Sequence, residues 1–409
     1  MKPTRCAIVG EMTASGTAGR TRVVATLGIT QMIPWGSSYY LPAMLAEPMA
    51  RDTGVATPTV FLAFSLALVV SALVGPAAGN AVDRWGGRPV LMATNVLFAV
   101  ALLALSAVQG PIGLFLAWTL IGVGMGSGLY EAAFATVVRL FGQESRGAIT
   151  GITLIAGFTS TIAWPLSTWL ELQVGWRGAC MAWAALHLLV ALPLNAALPR
   201  LSAQPSSHVP PRDGEPVSDS DASAGGRAAV LLSFVFAVTW FTSTAMASHL
   251  PRLLQAAGVS LTTAVLLGSL IGPAQVAGRL AEFGVWRRAH QMLSARLAAL
   301  THPIGALALM LAGAPAGVAF VCLHGVGNGI LTIAKGTLPL LLFGPAGYGR
   351  KQGVLMVPAR IAQAAAPWMF GLALDRYGPA SLWLTAVIGL AAFVALMLLR
   401  APSAAARPG

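Results

Sequence analysis

Long apolar runs alternate with short polar or Gly/Pro-punctuated gaps along nearly all of this 409-residue chain. The runs cover about 23–47, 57–80, 89–109, 112–138, 148–171, 178–198, 228–249, 260–283, 291–312, 315–343, 352–374 and 380–399. A helix of about 20 apolar residues spans the hydrocarbon of a bilayer and satisfies its own backbone there. The pattern therefore predicts an all-α membrane protein with twelve transmembrane helices. One stretch breaks it: 199–227, PRLSAQPSSHVPPRDGEPVSDSDASAGGR, is too poor in large apolar groups to fold alone. It reads as a flexible linker between two six-helix bundles, 23–198 and 228–400, with tails at 1–22 and 401–409. The opening residues lack the continuous apolar core of a secretory signal, so the first helix is expected to direct insertion.

The two bundles repeat one another. GVGMG at 122–126 answers GVGNG at 325–329, an offset of 203, and Pro165 answers Pro367, an offset of 202. Each proline precedes a similar turn, GWRG at 175–178 and DRYG at 375–378, and GPA recurs at 75–77 and 272–274. Short matches at nearly one offset, each pairing corresponding helices, indicate a six-plus-six duplication of the kind secondary transporters use.

Composition agrees. Hydrophobic residues make up 56% of the chain and charged residues only 9%, more apolar side chain than a soluble core can bury. The net charge of +12 comes from basic residues set singly or in pairs between apolar runs, unlike the clustered patches of a nucleic-acid binder. With both termini inside, seventeen Lys and Arg fall on inner loops and ends, against Arg51, Arg177, Arg252 and Arg376 outside. That positive-inside bias predicts a multi-pass protein of the cytoplasmic (inner) membrane. Cys6, Cys180 and Cys322 show no metal or disulfide spacing.

Against this scarcity of charge, GNAVDRWGGRPV at 79–90 concentrates Asp83, Arg84 and Arg88 in the turn between the second and third helices. Gly79 allows close helix approach, and Asp83 can meet the positive N-terminal end of a neighbouring helix. The spacing of Gly79, Asp83, Arg84, Gly86 and Arg88 resembles the signature loop of the major facilitator superfamily, with Gly87 in place of one closing basic residue. The resemblance implies the two-bundle major facilitator fold and a loop that latches one side of the protein during alternating access. The alternative is that these charges only set topology.

Trp118 stands where drug/proton antiporters of that superfamily carry an arginine. The GWR and DRYG turns and the arginine of VAGRLAEF, Arg279, look more like the monocarboxylate-porter-like branch and its bacterial relatives. That resemblance implies proton-linked movement of small organic anions.

The charges inside the predicted helices supply a separate argument. Glu131, Arg279, Lys335 and Arg360 sum to +2, and a buried cationic excess calls for an anionic visitor. Arg296, near the end of its helix, can snorkel. His324, Asn328 and Lys335 share one face of the tenth helix, and Arg360 and Gln363 are neighbours on the eleventh. Arg279 or Arg360 can hold a carboxylate bidentately, while the structural alternative pairs Glu131 with Lys335. Glu131, on the face of Gly124 and Gly128, reads equally as a buried structural acid and as a proton carrier. Gln31, Tyr39 and Trp240 are further candidates for substrate contact.

No nucleophile elbow, phosphate loop or metal-type histidine spacing occurs, so no enzyme, cofactor or metal is expected. The sequence reads as a secondary transporter of a small anionic substrate, proton-coupled, with the bilayer and protons as its other partners and no nucleic acid. A proton-driven exporter of drugs or metabolites and a transporter-like membrane receptor are the alternatives.

Overall fold

The computed structural model describes residues 17–200, 219–284 and 291–399, and all regular structure among them is helical. The tails, most of the expected linker, Cys6 and the basic residues Lys2, Arg5, Arg212, Arg287, Arg288, Arg400 and Arg407 lie outside the described residues.

In the first half, α1 (Thr17–Pro34) passes through one π-helical turn at Trp35–Tyr39 into α2 (Leu41–Thr53). Pro34 lacks the N–H that would continue the regular ladder, and the widened turn follows it. Next come α3 (Thr57–Trp85), α4 (Gly87–Ser106), α5 (Pro111–Gly128), α6 (Tyr130–Phe141), α7 (Arg146–Ala156), α8 (Thr159–Leu186) and α9 (Leu192–Ala196). The second half holds α10 (Asp219–Ala256), α11 (Leu261–Ser269), α12 (Ile271–Gly284), α13 (Gln291–Ala312), α14 (Gly317–Phe343), α15 (Tyr348–Tyr377) and α16 (Leu382–Leu398).

Eight helical stretches are long and apolar enough to cross a membrane by length and composition. Pro111–Ala196 holds three of the expected passes, Tyr348–Leu398 holds two, and α1–α2 supplies another outside those eight, consistent with twelve in all. Within α8 the chain reverses at Gly175, where φ is 70°, between the fifth and sixth passes.

Two departures from the sequence expectation stand out. α10 begins at Asp219, inside the segment expected to be linker. The fourth pass, expected to be continuous over 112–138, is broken: Leu129 is extended (φ −80°, ψ −164°) between α5 and α6. The glycine-rich run GVGMGSG before it is poor helix former, and the carbonyl of Gly128 accepts a 2.8 Å hydrogen bond from Gln31 Nε2. A backbone break at membrane depth is tolerated where protein supplies such partners.

The duplication is visible in the packing. α3 packs on α5, α4 on α5 and α8, and α1 on α7; correspondingly α12 packs on α14, α13 on α14 and α16, and α10 on α15. A Cβ at Gly122 or Gly126 would strike the backbone of α3 at Ala67 and Ser71, and one at Gly325 or Gly329 would strike Ile271 and Gln275. In lipid no hydrophobic force draws helices together, so close backbone approach through small residues supplies the contact energy instead. The repeated GVGxG strings are that approach, made once in each half.

The halves meet where α3 and α6 pack on α15 and α7 packs on α12 and α14. The ion pairs that join them among the described residues are Arg146–Glu282, 3.0 Å, and Arg360–Glu131, 3.0 Å.

Candidate functional site

The turn between α3 and α4 ties the halves together at one end of the molecule. Gly86 has φ 87°, a left-handed conformation that a side chain would strain, and it reverses the chain sharply. Asp83, one turn before the end of α3, projects its carboxylate onto the N-terminus of α15, accepting hydrogen bonds from the backbone N–H groups of Gly349 (2.9 Å) and Arg350 (2.8 Å). These first-turn donors have no partner inside their own helix, and the helix dipole favours an anion there. Arg139 on α6 donates to the carbonyls of Val82 and Asp83, both at 2.7 Å, fixing the end of α3. Gly79 and Gly349 lie backbone to backbone, as do Gly75 and Gly353, so the Asp83 contact exists only while α3 and α15 touch. Arg84 is exposed and Arg88 half-buried.

Replacing Asp83 with Asn leaves one acceptor oxygen, so one of the two charge-assisted bonds becomes a neutral one, roughly half as strong, and the other is lost because the amide nitrogen cannot accept. A loss of about 1 kcal/mol from this state is expected. Asp83→Asn should therefore express and unfold normally but cycle about fivefold more slowly in proteoliposomes; wild-type rates would remove the latch.

At the middle of the interface the structure assembles a charged and aromatic cluster. Glu131 occupies the first turn of α6, directly after the break, where the dipole favours a carboxylate. Its two oxygens accept from Arg360 Nη2 on α15 at 3.0 and 3.2 Å, and Arg360 Nη1 donates to Gln363 Oε1 at 3.1 Å. Lys335 on α14 sets its Nζ 3.9 Å from the centre of the Trp240 ring, and the Arg360 guanidinium lies 5.0 Å from the same ring. Trp240 in turn stacks on Trp35 across the two halves, 6.0 Å and 8° apart. Tyr130 packs against Trp35 at 4.9 Å, and Tyr39 meets Trp240 edge-on while its hydroxyl lies 3.4 Å from that of Thr244. The π-helical turn places Trp35 and Tyr39 together at this point.

Arg279 on α12 is buried, not turned toward the membrane surface. Its guanidinium rests on Gly157, where a Cβ would collide with it, and donates to Thr153 O and Gln275 Oε1, both at 3.3 Å. The carbonyl of Thr153 belongs to α7, so Arg279 also bridges the halves.

Of the four intramembrane charges expected to matter, Lys335 and Arg360 thus lie over Trp240, Glu131 joins them through Arg360, and Arg279 lies further along the interface. The acid pairs with Arg360 and not with Lys335. His324 and Asn328 lie apart from Lys335, lining a small pocket inside the second half; there His324 Nδ1 is 3.1 Å from His302 Nδ1. Gln31 holds the broken fourth pass rather than facing the cluster with its amide nitrogen. Sequence reasoning missed Tyr130, Gln275 and Thr153; the first follows directly on the glycine run that breaks the helix, while the others carry no mark of their own.

The electrostatic balance is one-sided. Among the described residues no carboxylate lies within ion-pair distance of Arg279 or Lys335, while Glu131 is committed to Arg360. Trp35 Nε1, Trp240 Nε1, Arg279 Nε and Gln363 Nε2 are buried donors without an acceptor. Leaving such a group without a partner costs on the order of 1–3 kcal/mol; Gln31 Oε1, Glu282 Oε2 and Gln352 Oε1 are buried acceptors in the same position.

The sequence profile of the Major Facilitator Superfamily matches residues 27–305. Relatives include an uncharacterized 38 kDa protein of Thermoproteus tenax, 32% identical over 37% of this chain and 40% of its own length. The oxalate:formate antiporter of Oxalobacter formigenes is 28% identical over 34% of this chain and 33% of its length, and monocarboxylate transporter 11 of Mus musculus 30% identical over 35% of each. The matched stretch spans about a third to two-fifths of these relatives. The crystal structure of the E. coli fucose:proton symporter superposes with a TM-score of 0.71 at 16% identity, covering 91% of this chain and 97% of that one, a likeness of fold. With its signature turn, duplicated helical halves and profile match, the chain belongs to the major facilitator superfamily.

Proposed function

We propose that this protein is a secondary transporter, that it carries a small, monocarboxylate-like organic anion by alternating access, and that it couples the movement to protons through Glu131. The observation that carries the reading is the surplus of buried cations and donors at the interface: Arg279 and Lys335 have no carboxylate partner there, and two indole N–H groups have no acceptor. A carboxylate ligand supplies both the charge and the lone pairs. The relatives named for oxalate, formate and monocarboxylates support the same class. Lys335, Arg360, Arg279, Trp240 and Tyr39 are the proposed contacts. The sequence's basic asymmetry supports a topology with both termini and the Asp83 turn inside, at the inner membrane.

A thermal-stability screen of the purified protein with formate, oxalate, longer monocarboxylates, amines and hydrophobic drugs tests the class, because a ligand of the native state stabilises it by mass action. Acids should stabilise; stabilisation by amines and drugs alone would favour the exporter. The same assay tests Arg279. Its planar fork bridges Thr153 and Gln275, a geometry lysine does not reproduce. Arg279→Lys is expected to express normally and to bind the best acid about tenfold more weakly, ~1.4 kcal/mol. Wild-type affinity would remove Arg279 from the site and leave Arg360 and Lys335 to carry it.

A further inference from the structure

Beside the Asp83 turn lies an open recess between the start of α4, the end of α6 and the chain leaving α9. Arg88 and Arg200 line it together with Trp85, Met92, Leu140 and Pro199, and no acidic residue does. Neither arginine takes part in an ion pair or side-chain hydrogen bond among the described residues; the acid nearest Arg88 in sequence, Asp83, is spent on the α15 N-terminus. No side chain caps α4, whose N-terminus opens here. Two cations and a positive helix end therefore converge on a recess without a counter-charge among the described residues.

The surroundings specify what kind of anion fits. Trp85 is 59% exposed at the end of a membrane-spanning helix, the level at which indoles anchor in the headgroup region. From the recess an apolar stripe runs up one face of α4: Met92 at its rim, then Val96, Val100 (52% exposed) and Leu103, spaced four, four and three residues apart. A free inorganic anion has no use for that stripe, whereas a lipid places its phosphate at the arginines and its chains along it.

We propose that this recess is a binding site for an anionic glycerophospholipid, its phosphate held between Arg88 and Arg200 and an acyl chain lying along Met92, Val96, Val100 and Leu103. The site is separate from the substrate cluster and does not depend on the substrate assigned there. Because it abuts the turn that carries Asp83, an occupant braces the start of α4 against the end of α6.

The test uses the full-length protein in neutral detergent, with phosphatidylglycerol, phosphatidylcholine and inorganic phosphate as probes, read by native mass spectrometry and by the unfolding midpoint. Phosphatidylglycerol should be retained in preference to phosphatidylcholine and should raise the midpoint, with inorganic phosphate ineffective. A basic residue near an anionic lipid surface contributes about 1 kcal/mol. Arg88→Gln and Arg200→Gln should each weaken retention about fivefold, and the double variant about 25-fold. Arg200 is exposed, so its variant keeps the test valid should Arg88→Gln fold poorly. Equal retention of phosphatidylglycerol by the double variant, equal retention of phosphatidylcholine by the wild type, or no retained lipid at all would overturn the proposal. Stabilisation by inorganic phosphate alone would make the recess a site for a free anion and overturn it too.

Discussion

Gly79→Val is expected to abolish transport while leaving the protein folded and able to bind its ligand. In this structure Gly79 and Gly349 touch backbone to backbone, and any Cβ at position 79 would lie inside the Gly349 carbonyl. Backbone on both sides leaves no flexible side chain to yield, so α3 and α15 must separate. Separation also breaks the hydrogen bonds from Gly349 and Arg350 to Asp83. Overpacking of this kind costs about 3 kcal/mol at the upper part of its usual range, which shifts a two-state population ~150-fold against the state closed at the Asp83 end. A cycle that must pass through that state stalls, but the opposite state retains its site. The measurement is uptake in proteoliposomes beside the ligand-induced shift of the unfolding midpoint. Uptake near wild type would show that the close approach of α3 and α15 is not required for turnover.

Glu131→Gln should have the second large effect, and it separates two roles. Arg360 is almost wholly buried while Glu131 keeps 17% exposure toward the cavity between the halves. Removing one partner of a buried pair strands the other charge, at a cost of about 3 kcal/mol for a pair that still touches a cavity. The ligand-free protein should therefore unfold at a lower temperature, and a carboxylate probe should restore more stability than it adds to the wild type, because it supplies the charge that Arg360 has lost. If Glu131 also carries the coupled proton, accumulation driven by a pH gradient disappears while ligand exchange persists, since glutamine keeps the shape and loses the titration. Unchanged accumulation would move coupling to another group. A stability loss that no carboxylate restores would leave Glu131 a purely structural partner of Arg360.

The pairing of Glu131 with Arg360 shows how the site departs from what its helices announce singly. Glu131 and Lys335 occupy nearly equivalent places in the two repeats, which invites their pairing. The acid instead starts a new helix after the break at Leu129, and Arg360 of the eleventh pass reaches it first. His324 and Lys335 share a face of α14, yet eleven residues of rise separate them, roughly 16 Å at 1.5 Å per residue. The first meets His302 inside one half and the second meets Trp240 near the boundary between halves. Trp35, one of several aromatics in the first pass, becomes the ring that stacks on Trp240, at the start of the π-helical turn after Pro34.

The sequence alone determined what depends on local composition and on spacing along one chain: bilayer-length apolar runs, the polar interruption after residue 198, the repeat at an offset near 203, and the glycines and aspartate of the signature turn. These properties follow from the thickness of hydrocarbon and from the backbone's need for internal hydrogen bonds, and neither refers to a distant residue. Only the tertiary structure decided which charges face one another, that the fourth pass is broken at Leu129, and that Arg279 is buried against Gly157 between the halves. A helix's sequence fixes the angular order of its side chains. Its rotation and depth relative to its neighbours are set by backbone contacts at glycines such as Gly79 and Gly349, and a shift of one residue, about 100° around the axis, hands a side chain to a different partner.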